Sequence, residues 1–246
     1  NLPRVAALAL LLAGNAMMHA SAVGWLPDEG HGWRLGLAVA VMLIALVGGR
    51  IVPSFTRNWL VKRGEGALPA AFGGIDRAAL ASTAVALLCW VVAPEGPVTG
   101  ALLALAALAQ VLRLARWCGH RTGAEPLVWV LHLGYGWMPV GLALLAAAAW
   151  SPGMPETAAV HALTAGAIGT MTLAVMTRAT LGHTGNPLLA GPATTAVYLL
   201  VAAAAAGRVA AALLPSVPLW LTTASGLAWL AAFLGFAVIY GRLLLR

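Results

Sequence analysis

Long apolar runs of about 20 residues, separated by short clusters of charged and turn-forming residues, constrain this chain more than any other feature. Hydrophobic residues make up 61% of the sequence and charged residues only 9%. A membrane β-barrel would instead show alternating segments of about ten residues, and no stretch of that length alternates here. The sequence therefore predicts an all-α fold, a polytopic transmembrane helical bundle.

Eight spans are predicted, at residues 3–24, 33–52, 77–94, 98–116, 126–150, 157–180, 191–214 and 218–241. Four proline- and glycine-rich turns, at residues 26–30, 94–97, 151–155 and 215–218, all fall on one side of the bundle. We expect residues 1–246 to form a single transmembrane domain. Because the chain enters its first span without an initiator methionine or a charged leader, we also expect it to be a piece of a longer protein.

The positive charges orient the predicted bundle. Of 14 Lys and Arg residues, only Arg34 and Arg208 fall on the side of the short turns. The loops on the other side and the two chain ends hold Arg4, Arg50, Arg57, Lys62, Arg63, Arg77, Arg113, Arg116, Arg121, Arg178, Arg242 and Arg246. The positive-inside rule places that side, and both ends, in the cytoplasm. The net charge of +7 follows from this bias, so a lipid bilayer is the expected partner and nucleic acid is not.

Two histidines and one arginine lie inside predicted spans at a similar depth from the side of the short turns. His19 is about 9 Å inside Trp25 by helix rise, and His161 is about 8 Å inside Glu156. Arg208 lies about 10 Å inside the turn at residues 215–218. An imidazole in hydrocarbon is unfavourable unless it binds a partner, and a buried guanidinium needs an anion.

These residue types suit a haem or metal site. Neutral imidazoles of His19 and His161 can ligate haem iron or copper, and Arg208 can bind a haem propionate. The alternatives are that His19 forms a hydrogen bond within the bundle beside Asn15, and that Arg208 extends to the membrane interface.

His132 lies at a comparable depth from the opposite side, in the segment WVLHLGYGW. Tyr135, three residues on, shares its helix face, and Gly134 and Gly136 allow another helix or a flat cofactor to approach. The two interpretations are a structural Tyr–His pair and a second ligand site. On position alone, solvated side chains are expected at His31, His120 and His183.

Several familiar sites are missing from the sequence. The two closest histidine pairs are each split by a loop, which excludes the within-helix pairing of four-helix cytochromes b. No Cys-x-x-Cys-His, His-Glu-x-x-His or Walker motif is present. Met17 and Met18 lie next to His19, and thioethers suit Cu(I), although methionine in a membrane helix usually serves packing. Cys89 and Cys118 fall near opposite ends of the predicted bundle, so they are not expected to pair.

Four motifs in this order resemble the NnrS family of bacterial inner-membrane proteins. They are Gly14-Asn15 with His19, GGRIVPSFTRNW at residues 48–59, HLGY at residues 132–135, and HALTAGAIGTMTLAVMTRATLGHTG at residues 161–185. The resemblance covers residues 14 to 185. It implies a protein with haem b and copper that acts in the response to nitric oxide, often associated with denitrification.

The resemblance also implies that a complete protein has about twelve spans, of which this chain corresponds to the C-terminal two thirds. An early His-x-His-Glu-Met segment of the family has no counterpart here. The family's motif histidines map onto His19, His132, His161 and His183, and these are the predicted metal ligands. Its motif arginines map onto Arg50, Arg57 and Arg178, which would alternatively anchor helix ends in anionic headgroups.

The leading hypothesis is a haem-containing, and additionally copper-containing, inner-membrane protein that protects against nitric oxide or nitrosative stress. His19, His132, His161 and Arg208 are its candidate cofactor-binding residues. A second hypothesis is a cofactor-free transporter or channel whose intramembrane His and Arg residues line a polar path. A third is an assembly factor for respiratory complexes that has no site of its own.

Overall fold

A computed structural model describes residues 2–27, 29–64, 66–214, 216 and 219–245. Within these ranges the regular structure is entirely helical, and eight helical segments are long and apolar enough to cross a membrane. The predicted all-α transmembrane bundle is confirmed. Exposed leucine and valine side chains such as Leu8, Leu105 and Val238 give its outer faces the apolar surface that a bilayer requires.

Over the residues that the structure describes, the spans are formed by ten α-helices and two π-helical segments. Six spans are single helices: α1 (Leu2–Ala22), α4 (Gly74–Val92), α5 (Pro97–Ala115), α6 (Pro126–Trp150), α9 (Pro192–Leu213) and α10 (Leu219–Leu244). The second span joins α2 (His31–Leu43), a π-helical segment (Ile44–Gly48) and α3 (Gly49–Val61). The sixth joins α7 (Glu156–His161), a π-helical segment (Ala162–Gly169) and α8 (Thr170–His183).

Proline and acidic side chains determine where several helices begin. Pro97, Pro126 and Pro192 each start a helix, where a missing backbone N–H is harmless. The Glu125 carboxylate caps α6 by accepting a hydrogen bond from the Leu127 amide at 3.0 Å. It also accepts one from the Ala190 amide at 3.2 Å, which ties two loops together at the same end of the bundle.

The prediction that the second span ends at residue 52 is wrong, because the helix continues to Val61. Pro53 lies inside α3, five residues after the end of the π-helical segment, and the helix continues through it. Thr56 and Leu60 are buried where α3 packs on α6, while Arg57 is exposed. The sequence also assigned several arginines to loops or chain ends that in fact lie on helices: Arg50, Arg57, Arg77, Arg113, Arg178 and Arg242.

Helix α6 occupies the centre of the bundle. It packs against α3, α5, α7, α8, α9 and both π-helical segments, while α1 packs on α2 and α10 packs on α9 and α8. We call the end that carries the loops at residues 62–73, 116–125 and 184–191 the arginine-rich end. At the opposite end, Glu156 accepts a hydrogen bond from Trp90 at 3.0 Å and lies 3.8 Å from the Arg34 guanidinium.

Candidate functional site

The two π-helical segments distinguish this bundle from a simple set of eight helices. A π-helical turn changes which carbonyls are free to accept hydrogen bonds, and such turns occur frequently at functional sites. Both segments pack on α6. One begins directly after His161, and the other ends at Gly48. Both therefore lie in or next to the motifs that the sequence singled out.

A buried ion pair lies beside the first π-helical segment. Arg113 of α5 is only 1% exposed, and its Nε donates to Oδ1 of Asp76 at 3.0 Å. Its Nη1 donates to the Ala45 carbonyl of the π-helical segment at 2.8 Å and to the Tyr135 hydroxyl at 3.0 Å. Arg113 thus joins α4, α6 and the second span through a single side chain.

The network continues from Arg113 into the bundle. The Tyr135 hydroxyl donates to Gln110 at 2.8 Å, and the Gln110 amide donates to Thr83 at 2.9 Å. The second oxygen of Asp76 accepts from Arg116 and from the Gly73 amide, each at 2.9 Å. Every polar group in this chain of contacts has a partner, so the network rigidifies the site rather than offering a free ligand.

Small residues bring three of the sequence motifs together at this network. A Cβ atom built on Gly48 would lie 3.1 Å from the Tyr135 ring and 3.2 Å from the Met171 methyl. A Cβ atom on Gly134 would lie 3.0 Å from Met171. The guanidinium of Arg178 also lies 4.0 Å over the Phe55 ring. The motifs at residues 48–59, 132–135 and 161–185 therefore form one packed centre.

His132 lies one turn from Tyr135 towards the arginine-rich end. Its Nε2 forms a 2.8 Å hydrogen bond with Thr56 of α3. Its Nδ1 is buried and, among the residues that the structure describes, has no partner. That nitrogen packs against Gly119, where an added Cβ would lie only 2.6 Å away. His132 and Tyr135 therefore do not form a hydrogen-bonded pair. Tyr135 bonds to Gln110 and Arg113, whereas His132 bonds to Thr56.

Replacing Thr56 with valine is expected to lower the free energy of unfolding by about 1–3 kcal/mol, because both ring nitrogens of His132 would then lack a partner. Denaturant titration in detergent would measure it. Thr195→Val is the matched control, since the Thr195 hydroxyl donates to the carbonyl of Gly191, the residue just before its own helix α9. Equal stability of the two variants would mean that the Thr56–His132 bond contributes nothing.

A second polar site lies in the other half of the bundle, where α7 meets α9. His161 is half-buried, and Arg208 of α9 is close enough to interact with it electrostatically. Within the described ranges, neither side chain has a hydrogen-bond or ion-pair partner. Two side chains that carry or can gain positive charge thus interact across neighbouring membrane spans, an arrangement that an anion would stabilise.

Aromatic side chains pack along the second π-helical segment, which follows His161. A Cβ atom on Gly166 would lie 2.5 Å from the Trp137 ring, and one on Gly169 would lie 2.2 Å from the Trp229 ring. The Trp137 Nε1 and Thr170 Oγ1 atoms are buried and have no partner in the described part of the chain. Unpaired buried polar atoms are uncommon in folded proteins, so this region has unused capacity to bind a polar group.

The other predicted ligands lie away from the His161–Arg208 pair. His19 is exposed on α1, which packs on α2, whereas His161 faces α9. His183 is exposed at the arginine-rich end, at the far end of the same span as His161. The described residues contain no group of three or more His, Cys, Asp or Glu side chains that could hold a metal ion. The four predicted metal histidines thus lie in separate places.

The methionine pair of α1 lies beside a different histidine. Met17, Met18 and His31 line a cavity of about 320 Å³ at the end opposite the arginine-rich end. The His31 Nδ1 atom lies 3.4 Å from the Glu29 carboxylate. Cys89 and Cys118 are both free, as their predicted positions required. The methionine cavity therefore combines soft thioether donors with an imidazole.

The sequence profile of a protein family described as NnrS protein matches residues 1–246. The chain belongs to the NnrS family. This match extends beyond the four motifs to the whole chain, and at family level it makes the chain a membrane protein of the nitric oxide response. No curated protein and no solved structure matches it. In this NnrS protein, the three motifs at residues 48–59, 132–135 and 161–185 meet in the packed centre at α6, whereas the motif with His19 lies on α1.

The sequence did not reveal the Asp76–Arg113 network. The sequence does contain a pattern that could have indicated it, namely polar residues that recur at helical spacing within apolar segments. Gln110 and Arg113 are three residues apart on α5, and Asp76 and Thr83 are seven apart on α4. Such spacing places each pair on one helix face, and opposite charges on neighbouring helices would have suggested that the faces meet.

Proposed function

We propose that this NnrS protein binds haem in the membrane and acts in the response to nitric oxide, with His161 as an iron ligand. The observation that carries the proposal is the His161–Arg208 pair, in which a half-buried imidazole and a guanidinium both lack partners among the described residues. A carboxylate-bearing cofactor with a coordinating metal would satisfy both groups at once.

The donor chemistry of this site fits haem b. His161 would hold the iron through a neutral ring nitrogen, and Arg208 would bind a propionate by charge-assisted hydrogen bonds. Trp137 and Trp229, which pack on the adjoining π-helical segment, would limit the access of water. When bound, haem iron supplies a site for nitric oxide or for electron transfer.

Copper is proposed as a second metal. Met17, Met18 and His31 fit it, because thioether and imidazole donors suit Cu(I). His19 and His132 remain candidates for a second haem ligand or for a second metal site, because each lies in one of the motifs that resemble the family. We further propose that the protein resides in the bacterial inner membrane with its arginine-rich end in the cytoplasm, because positive loops stay on that side.

The purified protein is expected to show a Soret band and, after reduction, sharpened visible bands, and His161→Ala is expected to abolish these bands. Arg208→Gln should lower the haem content per protein, since the proposed anion partner is lost while the ligand remains. Oxidised and dithionite-reduced absorption spectra, with metal analysis of the same sample, measure both effects. His120→Ala is the control, because His120 is an exposed loop residue. A folded His161→Ala protein that retains its full haem content would refute the assignment.

The same pair of side chains favours a second function. Two unpaired, basic side chains inside a membrane span could attract a small anion along a polar path. Under this alternative the protein would purify colourless and metal-free, and Arg208→Gln would reduce anion uptake into proteoliposomes.

A further inference from the structure

A cavity of about 650 Å³ opens at the arginine-rich end, separate from the His161–Arg208 pair. Helix α3 forms one wall through Arg50, Ser54 and Arg57. The opposite wall is formed by residues 69–72 and the ring of Trp117. The volume lies within the range of small-molecule sites in proteins and exceeds what a bare inorganic ion needs.

Two cationic side chains line this cavity without a counter-charge. Arg50 and Arg57 are seven residues apart, two turns of the same helix, with Ser54 between them on the same face. Both arginines are exposed, and neither has a hydrogen-bond or ion-pair partner in the part of the chain that the structure describes. The pair therefore presents ten N–H donors beside one hydroxyl.

One carboxylate also lines the cavity, but it does not neutralise the arginines. Asp76 is only 3% exposed, and its two oxygens are occupied by Arg113, Arg116 and the Gly73 amide. Those two bound arginines already exceed its single negative charge. With Arg50 and Arg57 added, the surroundings of the cavity carry a clear excess of positive charge, which favours an anionic ligand.

The loop wall is held in place rather than loosely attached. The Ala70 amide donates to the Arg116 carbonyl at 3.0 Å, and the Arg116 guanidinium donates to the Ala71 carbonyl at 3.3 Å. Farther along the loop, Arg121 donates to the Ala67 carbonyl. A cavity whose second wall is fixed in this way is pre-organised, which reduces the entropic cost of binding a ligand.

We propose that this cavity binds a phosphate-bearing ligand, with the phosphate held between Arg50 and Arg57 and the body of the ligand against Phe72 and Trp117. Guanidinium groups match phosphate oxygens by paired charge-assisted hydrogen bonds. The apolar part of the lining suits a ligand larger than phosphate itself. The phosphate group belongs either to an anionic lipid headgroup or to a soluble molecule.

The test uses the full chain, purified in detergent and freed of lipid, with Arg50→Gln, Arg57→Gln and the double variant. Arg77→Gln is the matched control, because Arg77 is an exposed arginine of α4 at the same end that does not line the cavity. Native mass spectrometry measures binding of phosphatidylglycerol against phosphatidylcholine, and calorimetry measures binding of inorganic phosphate.

Each single variant is expected to weaken binding about tenfold, which corresponds to the loss of one charge-assisted contact. Arg50→Lys/Arg57→Lys should retain part of the affinity, because the charge remains. Loss of selective phosphatidylglycerol binding would assign the phosphate to a lipid, and loss of phosphate binding alone would assign it to a soluble molecule. If neither probe binds the native protein, or if Arg77→Gln weakens binding as much as the cavity variants, the proposal is wrong. Haem content should not change in any of these variants.

Discussion

Replacement of Asp76 by leucine is expected to lower the free energy of unfolding by about 3–5 kcal/mol, the usual cost of removing one partner of a buried ion pair. Arg113 is only 1% exposed in the native protein, and the variant would leave its guanidinium with two neutral hydrogen-bond partners, the Ala45 carbonyl and the Tyr135 hydroxyl. It would also remove the acceptor of the Gly73 amide at the start of α4. Denaturant titration in detergent micelles, followed by tryptophan fluorescence, would measure the loss.

Glu95→Leu is the control for this experiment. Glu95 is an exposed carboxylate in the turn between α4 and α5, so the same substitution there should change stability by less than about 0.5 kcal/mol. The double variant Asp76→Leu/Arg113→Met removes both charges and should be more stable than Asp76→Leu alone, because no unpaired buried charge remains. If Asp76→Leu were as stable as Glu95→Leu, the ion pair would not hold the bundle together.

The number and positions of the spans were predictable because each follows from local properties. A run of about 20 apolar residues is the length that crosses a bilayer, and Pro97, Pro126 and Pro192 mark helix starts by their own chemistry. The end of the second span was not predictable in this way. A proline inside a helix usually kinks or ends it, yet α3 continues for eight residues beyond Pro53, to Val61.

The π-helical segments themselves have no local signature. The sequence of Ile44–Gly48 is an ordinary apolar stretch. In the structure, this segment is distinguished by the Ala45 carbonyl, which accepts a hydrogen bond from Arg113. That bond joins residues 68 positions apart. A feature stabilised by such a distant partner becomes visible only when the packing of the helices is known.

Depth along a helix predicted some features of the candidate site and missed others. His161 and Arg208 were expected at a similar level, and the structure places them close together because α7 packs on α9. His19 has a similar depth but lies exposed on α1. Depth gives only one coordinate of a residue in a bundle, and the order in which helices pack side by side supplies the others.

Replacement of Gly49 by alanine is expected to destabilise the protein by about 3 kcal/mol, although glycine to alanine inside a helix normally stabilises by up to about 1 kcal/mol. The added Cβ would lie 2.1 Å from Nη2 of Arg113. The guanidinium cannot move aside without breaking its bonds to Asp76, Ala45 and Tyr135. Gly49 therefore provides the space in which the ion pair forms.

Two further variants separate this steric cause from a general intolerance of side chains at helix contacts. Gly136→Ala should leave stability unchanged or slightly raised, because its Cβ would meet only Leu114, at 3.7 Å. In an Arg113→Met background the flexible thioether can move, so Gly49→Ala should cost much less than in the native protein, giving a coupling energy of about 1–3 kcal/mol in a double-mutant cycle. An additive result would show that Gly49 and Arg113 act independently, contrary to the geometry of the packed centre.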